Sequence, residues 1–216
     1  MRGCIFGAGD YDGALFSYTE NAYLVAADGG YRHLRERGVT PDLAVGDFDS
    51  LGALPTGVQV KRYPVRKDET DMALAAAAAR EAGCDELFLF GGTGGRFDHT
   101  FANIALLHSL AREGVTAYLA DAHGVMTVLA EGDEALFSPD CKGYLSVFSL
   151  TDVTPGVSLS GLAYPLEGGI LYSHIPLGVS NAFLGETARV SHETGALLLF
   201  WECLDNPLPK RVKKNP

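Results

Sequence analysis

The chain has 216 residues, 47% hydrophobic and 20% charged, enough to build one large domain or two small ones and too apolar for a disordered segment. Its formal net charge is −10 with no basic stripe through the body of the sequence, which argues against a nucleic-acid surface. No apolar stretch reaches membrane-spanning length, and the apolar run near the N-terminus is too short for a signal peptide.

In chain order, Cys4-Ile5-Phe6-Gly7 reads as a short buried strand that runs into Gly-Ala-Gly. Residues 22–27 form a second apolar run, ending at Asp28-Gly29-Gly30, and residues 43–45 a third, ending at Gly46-Asp47. Residues 58–63 alternate more weakly. The alanine-rich stretch 71–82 predicts a helix stopped by Gly83. Residues 86–90 are another buried strand, followed by Gly91-Gly92. Residues 98–113 carry apolar side chains at helical spacing and stop at Gly114. Continuous apolar strands alternating with helices predict an α/β N-terminal domain with a mostly parallel sheet covered on both faces. Beyond residue 120 the texture changes to short runs at 125–129, 144–150, 157–162, 170–172, 187–190 and 197–201, separated by Gly, Pro, Ser and Asp. That pattern predicts an all-β, sandwich-like C-terminal domain. The boundary is expected at 1–135 and 136–216. The basic run Lys210, Arg211, Lys213 and Lys214 reads as a solvated, frayed tail. Cys4, Cys84, Cys141 and Cys203 are far apart with no C-x-x-C spacing, which gives no zinc signature and suits a reduced, cytoplasmic protein.

Candidate chemistry lies at the strand ends. Three segments offer carboxylates beside glycine, lysine and arginine: Gly46-Asp47-Phe48-Asp49-Ser50, Lys67-Asp68-Glu69-Thr70-Asp71 and Gly94-Gly95-Arg96-Phe97-Asp98-His99. Convergent carboxylates repel unless a cation separates them, and a hard divalent ion such as Mg2+ takes oxygen ligands and also holds phosphates. In open parallel sheets, ligands bind outside the carboxyl ends of the strands. Asp28, Asp47, Asp49 and the 91–99 loop all follow strands directly, so they fall on one edge. If the 47–49 segment is extended, both aspartates point to one side and Phe48 to the core. Asp68 and Asp71, three apart around a helix start, share a face, although Asp68 reads equally as a helix cap. Gly91-Gly92-Thr93-Gly94-Gly95-Arg96 joins strand to helix and can aim backbone N–H groups at phosphate, with Arg96 as a forked donor. It matches neither the Walker pattern nor G-x-G-x-x-G, and Gly7-Ala8-Gly9-Asp10 lacks the third glycine of a dehydrogenase turn. Asp98 at the helix start reads as a site residue or a cap. His99 and Asn103 read as ligand contacts or as loop and helix struts. In the second half, Tyr164 offers a ring for stacking, and Ser180 and Asn181 offer polar handles on an edge loop.

Taken together, the segment 41–50, the segment 67–75, Gly94-Gly95-Arg96-Phe97-Asp98-His99 with Asn103, and Gly178-Val179-Ser180-Asn181 resemble the thiamin pyrophosphokinase family in order and spacing across nearly the whole chain. The resemblance implies an α/β catalytic domain followed by a β-sandwich-like thiamin-binding domain. It implies transfer of a diphosphoryl group from the co-substrate ATP to the hydroxyl of thiamin, giving thiamin diphosphate and AMP. By matching position, Asp47, Asp49 and Asp71 would hold Mg2+, with Asp98 and Arg96 beside them in catalysis. Asp28, Lys67, Asp68, Arg96, His99 and Asn103 would line the nucleotide site. Tyr164 would stack on thiamin, and Ser180 and Asn181 would contact its pyrimidine. The family likeness also implies a homodimer with the site at the subunit interface. An acidic protein suits a ligand that carries a permanent positive charge. A related diphosphotransferase or hydrolase, and a non-catalytic sensor on the same scaffold, are the rival readings.

Overall fold

The computed structural model describes residues 1–9, 18–49, 52, 54–202 and 206–213. The chain divides into two compact units, Met1–Leu107 with Val115–Ala122, and His108–Gly114 with His123–Pro216. The expected boundary was 135/136. Residues 124–129 fall in the second unit because they pair with a strand near the C-terminus.

In the first unit, six strands form a sheet: β1 (Arg2–Phe6), β2 (Tyr23–Ala27), β3 (Leu43–Gly46), β4 (Gln59–Arg62), β5 (Glu86–Phe90) and β6 (Thr116–Asp121). Their order is β6-β5-β1-β2-β3-β4. Every pairing among them is parallel. Residues such as Ile5, Val25, Val45, Leu87, Leu89 and Leu119 are wholly or almost wholly buried, as strands covered by helices require. Phe88 stacks on Tyr118 with ring centres 5.0 Å apart, and Phe6 lies 5.1 Å from Phe90. The helices are α1 (Gly30–Glu36), α2 (Asp71–Glu81) and α3 (Phe97–Arg112), whose last turn counts with the second unit. Helix α2 buries Met72, Leu74 and four of its alanines against β1, β2, β3 and β5. Its alanines let the helix sit close to the sheet at no side-chain entropy cost. No helix among the described residues is long and apolar enough to cross a membrane.

The order of the strands carries a functional consequence. From β1 the chain moves outward through β2, β3 and β4, then returns to the other side of β1 with β5 and β6. The direction of winding therefore reverses between β1 and β5. At such a reversal the following loops separate and leave a crevice beyond the carboxyl ends of the strands.

Among the described residues, the second unit is all-β apart from the end of α3. One antiparallel sheet has the order β12-β9-β14-β7, built from β7 (Gly124–Leu129), β9 (Tyr144–Ser149), β12 (Gly178–Ala182) and β14 (Leu197–Glu202). A second has the order β11-β10-β13-β8-β15, built from β8 (Asp133–Phe137), β10 (Val153–Ser160), β11 (Leu166–Tyr172), β13 (Ala188–Ser191) and β15 (Lys210–Lys213). Phe137 from one sheet meets Trp201 from the other edge-on at 5.4 Å.

The C-terminal basic run corrects the sequence reading. Residues 210–213 are a paired strand, not a frayed tail. Arg211, 11% exposed, donates to Asp133 Oδ2 at 2.8 Å and to Thr127 Oγ1 at 3.0 Å, and Lys213 donates to the Gly114 carbonyl. The run does not alternate with strong apolar residues, so periodicity gives no strand signal; ion pairing and the β8 edge supply the stability instead. Lys214 lies outside the described residues. Residues 178–182, read as an edge loop, are likewise an edge strand.

Candidate active site

Loops from β1, β2, β3 and β5, together with the starts of α2 and α3, surround a cavity of about 510 Å3. It sits at the reversal between β1 and β5. Gly7 and Gly9 on one side meet Gly91 and Thr93 on the other, through Gly7 N–H to the Phe90 carbonyl at 2.7 Å and Gly9 N–H to the Gly91 carbonyl at 3.0 Å. A Cβ on Gly9 would fall 2.6 Å from the Gly91 carbonyl oxygen and 2.7 Å from that of Thr93. Only glycine permits that approach, because both neighbours are backbone.

At the ends of β2 and β3, Asp28, Asp47 and Asp49 bring carboxylate oxygens within 4.8 Å of one another. The 47–49 segment is not extended. Phe48 adopts φ +63° in the left-handed region, buries its ring, and donates its N–H to Asp28 Oδ1 at 3.0 Å. A bulky residue in this conformation is unfavourable by itself, and the Asp28 hydrogen bond and the ring burial hold it there. Asp49 N–H donates to Asp47 Oδ1 at 3.1 Å. The two aspartates converge through this turn rather than through strand alternation, and Phe48 still points into the core. Gly46 lies against Asp28, with a Cβ there only 3.0 Å from Asp28 Cα, so β3 can bring its end beside that of β2.

Lys67 Nζ lies between two carboxylates, 2.5 Å from Asp71 Oδ1 and 3.3 Å from Asp47 Oδ2. The three side chains are 9%, 29% and 12% exposed respectively. The cation between carboxylates is thus the lysine. Hydrogen bonding from Asp49 N–H, helped by Lys67, holds the Asp47 carboxyl below its ordinary pKa. Burial pushes Asp71 up despite its bonds to Lys67. Burial alone would lower Lys67, but its bonds to Asp71 and Asp47 outweigh it and leave the ammonium raised.

The remaining predicted residues divide. Arg96, His99 and Asn103 line the cavity, as do Asp28, Asp47, Lys67 and Asp71. Asp68 is exposed, does not line it, and is not the cap of α2: Thr70 is, its Oγ1 accepting from Ala73 N–H at 3.2 Å. Thr70 has the extended φ and ψ that let its hydroxyl reach back to that N–H, two residues after Asp68. Asp98 is exposed and pairs with Arg96, accepting from Nε at 3.1 Å and Nη2 at 2.5 Å, and also from His99 N–H. The Arg96 guanidinium holds the Asp98 carboxyl below its usual range. Asn103 is buried and donates Nδ2 to the Gly92 carbonyl at 2.6 Å, so it braces the glycine-rich loop. Asp42, in the first motif, is a strut: its Oδ2 accepts from Leu24 N–H at 2.8 Å, tying β2 to β3.

In the second unit, Tyr164 is 71% exposed. Asn181 is buried, and its amide embraces the Tyr164 backbone. Oδ1 accepts from Tyr164 N–H at 2.8 Å and Ala182 N–H at 3.0 Å, while Nδ2 donates to the Tyr164 carbonyl at 2.7 Å. Asn181 therefore holds the loop that presents the tyrosine. Ser180 is exposed in the left-handed region, φ +57°, with its N–H on Ser146 Oγ. Sequence reasoning missed Thr93, whose Oγ1 donates to Asp121 Oδ2 at 2.5 Å. Asp121 closes an apolar strand as Asp28 and Asp47 follow theirs, and that position is the signal for it.

A crevice of this make-up at a reversal in a parallel sheet marks an α/β enzyme. The family model for the thiamin pyrophosphokinase catalytic domain matches residues 17–119, and that for the thiamin pyrophosphokinase vitamin B1 binding domain matches residues 135–197. Thiamine pyrophosphokinase of Bacillus subtilis is 30% identical over 200 residues, covering 86% of this chain and 90% of its own length. The crystal structure of thiamine pyrophosphokinase from that organism superposes with a TM-score of 0.84 at 26% identity, covering 94% of this chain and 100% of that one. The thiamin pyrophosphokinase structure from Geobacillus thermodenitrificans gives 0.80 at 29% identity over 95% and 99% of the two chains. The chain belongs to the thiamin pyrophosphokinase family.

Proposed function

We propose that the protein transfers the diphosphoryl group of ATP to the hydroxyl of thiamin, releasing thiamin diphosphate and AMP. The observation that carries this reading is the joining, in one crevice, of a glycine-rich strand-to-helix loop, Arg96, and carboxylates bridged by Lys67. Phosphoryl chemistry calls for positioning and charge neutralisation more than for covalent help. The thiamin hydroxyl oxygen bonds to the β-phosphorus, the bond from that phosphorus to the α,β-bridging oxygen breaks, and AMP departs with the electron pair. The hydroxyl proton passes to a carboxylate. Asp71, pushed up by burial, suits that role. Arg96 and Lys67 supply positive charge to the phosphate oxygens, while His99 and Asn103 bound the nucleotide.

The donor set suits a hard divalent cation, because Asp28, Asp47 and Asp49 offer only oxygen atoms, already grouped within 4.8 Å. Asp47, Asp49 and Asp71 are the proposed holders of Mg2+, with Asp28 as a further donor. Asp71 lies outside that group and engages Lys67, so its participation requires the lysine contact to loosen. When bound, the ion would neutralise triphosphate charge. We place Asp68 and Asp98 at the rim, the latter steering Arg96.

The functional division at 135/136 is supported by the matches at 17–119 and 135–197. We read the two antiparallel sheets of the second unit as a sandwich, supported by Phe137 against Trp201. There Tyr164 presents its ring for stacking on the thiamin cation, with Ser180 beside it and Asn181 fixing the loop. We further propose a homodimer with the thiamin site at the subunit interface, and a cytoplasmic location, which suits the buried thiols of Cys4 and Cys84.

The test is product analysis with ATP, Mg2+ and thiamin. Equal amounts of AMP and thiamin diphosphate are expected. ADP with thiamin monophosphate would overturn the reading.

A further inference from the structure

The glycine-rich loop after β5 is held at three successive residues by three different elements. Gly91 accepts from Gly9 N–H at 3.0 Å, Gly92 accepts from Asn103 Nδ2 at 2.6 Å, and Thr93 donates its hydroxyl to Asp121 Oδ2 at 2.5 Å. Gly91, Gly94 and Gly95 have φ values of +63°, +77° and +62°. A loop with so many left-handed glycines has many conformations open to it, and ordering it costs more entropy than ordering any other residue type. Two of the three bonds also occupy carbonyl oxygens. Those bonds fix the direction of the peptide groups at Gly91 and Gly92, and with it the course of the loop around the cavity.

Asp121 ends β6, the strand beside β5, and does not itself line the cavity, whereas Thr93 does. Its carboxylate makes a charge-assisted bond to a buried hydroxyl, the stronger kind of hydrogen bond. We propose that Asp121 is a positioning residue for the nucleotide: through Thr93 it fixes the 91–95 loop in the shape that receives the triphosphate of ATP. The proposal rests on the nucleotide assignment above. It assigns Asp121 no contact with ATP, and it separates this loop's task from thiamin recognition in the second unit.

The experiment measures MgATP binding by calorimetry and, in parallel, steady-state KM for ATP and for thiamin, in Asp121→Ala, Thr93→Val and the double variant. Each single variant is expected to weaken ATP binding and raise KM for ATP about tenfold, the loss of one charge-assisted bond, with KM for thiamin within about twofold. Because both changes break the same bond, the double variant is expected to be no worse than the worse single one. Thr93→Ser, which keeps the hydroxyl, is expected to recover most of the affinity that Thr93→Val loses. Additive losses, equal rises in both KM values, or unchanged ATP binding in Asp121→Ala would overturn the proposal. If Asp121→Ala does not fold, the Thr93→Val and Thr93→Ser pair decides alone. Calorimetry needs no turnover, so a wild-type protein that binds ATP but forms no thiamin diphosphate would sink the reaction assignment and leave the loop test standing. One that binds no ATP would sink both.

Discussion

Replacing Lys67 by methionine keeps the bulk of the side chain and removes its charge. Asp47 and Asp71, 12% and 29% exposed, then face each other without a cation. Removing one partner of a fully buried ion pair costs about 3–5 kcal/mol, because the other charge stays desolvated. Two features reduce that figure here. Asp71 retains partial access to water, and Asp47 keeps the hydrogen bond from Asp49 N–H. A cost of about 2–3 kcal/mol follows, a substantial share of the 5–15 kcal/mol typical of a folded domain. With a urea dependence of about 2–3 kcal/mol/M the unfolding midpoint shifts down by about 1 M, read by circular dichroism in EDTA. Millimolar Mg2+ is expected to shrink the shift, since a dication binding only the folded carboxylates stabilises them by mass action. The pH dependence follows from Asp47. Its folded pKa lies below the ordinary 3.8, so its contribution is present above that value and is lost as pH falls through the folded pKa. A Lys67→Met protein within about 0.5 kcal/mol of wild type in EDTA, the value of a surface pair, would refute the argument that Lys67 offsets buried carboxylates.

Four further outcomes are expected. Asp71→Asn should lower kcat by at least about a hundredfold with the circular dichroism spectrum unchanged, and a near-normal rate would remove Asp71 from the chemistry. Gly9→Ala should raise KM for ATP and destabilise by about 1–3 kcal/mol in thermal unfolding, because its methyl meets two backbone carbonyls; an unchanged KM would show that the β1 and β5 loops can separate freely. Asn181→Ala should cost about 2–3 kcal/mol from three lost hydrogen bonds and raise KM for thiamin while leaving KM for ATP alone, and equal effects on both would contradict the division of labour. Burial pushes the Cys4 thiol up to about 12, so it should resist a thiol reagent at pH 8 in the native protein and react only after unfolding; mass-mapped labelling of native Cys4 would count against that burial.

The sequence made the strand ends legible because a buried parallel strand leaves a continuous apolar run, and whatever follows it falls on one edge of the sheet. Asp28, Asp47 and the 91–96 loop were placed correctly on those grounds. Helix α2 was legible from its alanines, but its cap was not: Asp68 and Thr70 are both good cap residues, and only the backbone turn chooses between them. The conformation at Phe48 was hidden for a similar reason. A phenylalanine gives no sign of a left-handed φ, which here depends on a carboxylate 20 residues away. The struts were the least visible. Asn103 reaches its carbonyl across 11 residues, and Thr93 reaches Asp121 across 28. Such bonds follow from the packing of whole elements, and an asparagine on a helix reads the same whether it touches a ligand or a loop.

The reversal of strand order explains why this crevice is both polar and glycine-rich. Two neighbouring parallel strands whose connections leave in opposite directions have no helix covering the space beyond their ends, so that space fills with loops or ligand. Here the β1 and β5 loops close on each other at backbone distance, which demands glycine at positions 7 and 9. Among the described residues, the carboxylates of the crevice enter from the ends of β2 and β3, to the side, and from the start of α2 and the loop before it, where Lys67 keeps two of them together. The result is a division within the crevice: a floor of backbone dipoles from β1 and β5 beside a wall of negative charge from β2, β3 and α2. On the proposed reading a triphosphate would lie against the floor, with Lys67, Arg96 and a divalent cation offsetting the wall. If the crevice takes ATP as proposed, that arrangement would favour a phosphate ligand arriving with its metal over either one alone, a preference that begins with strand order.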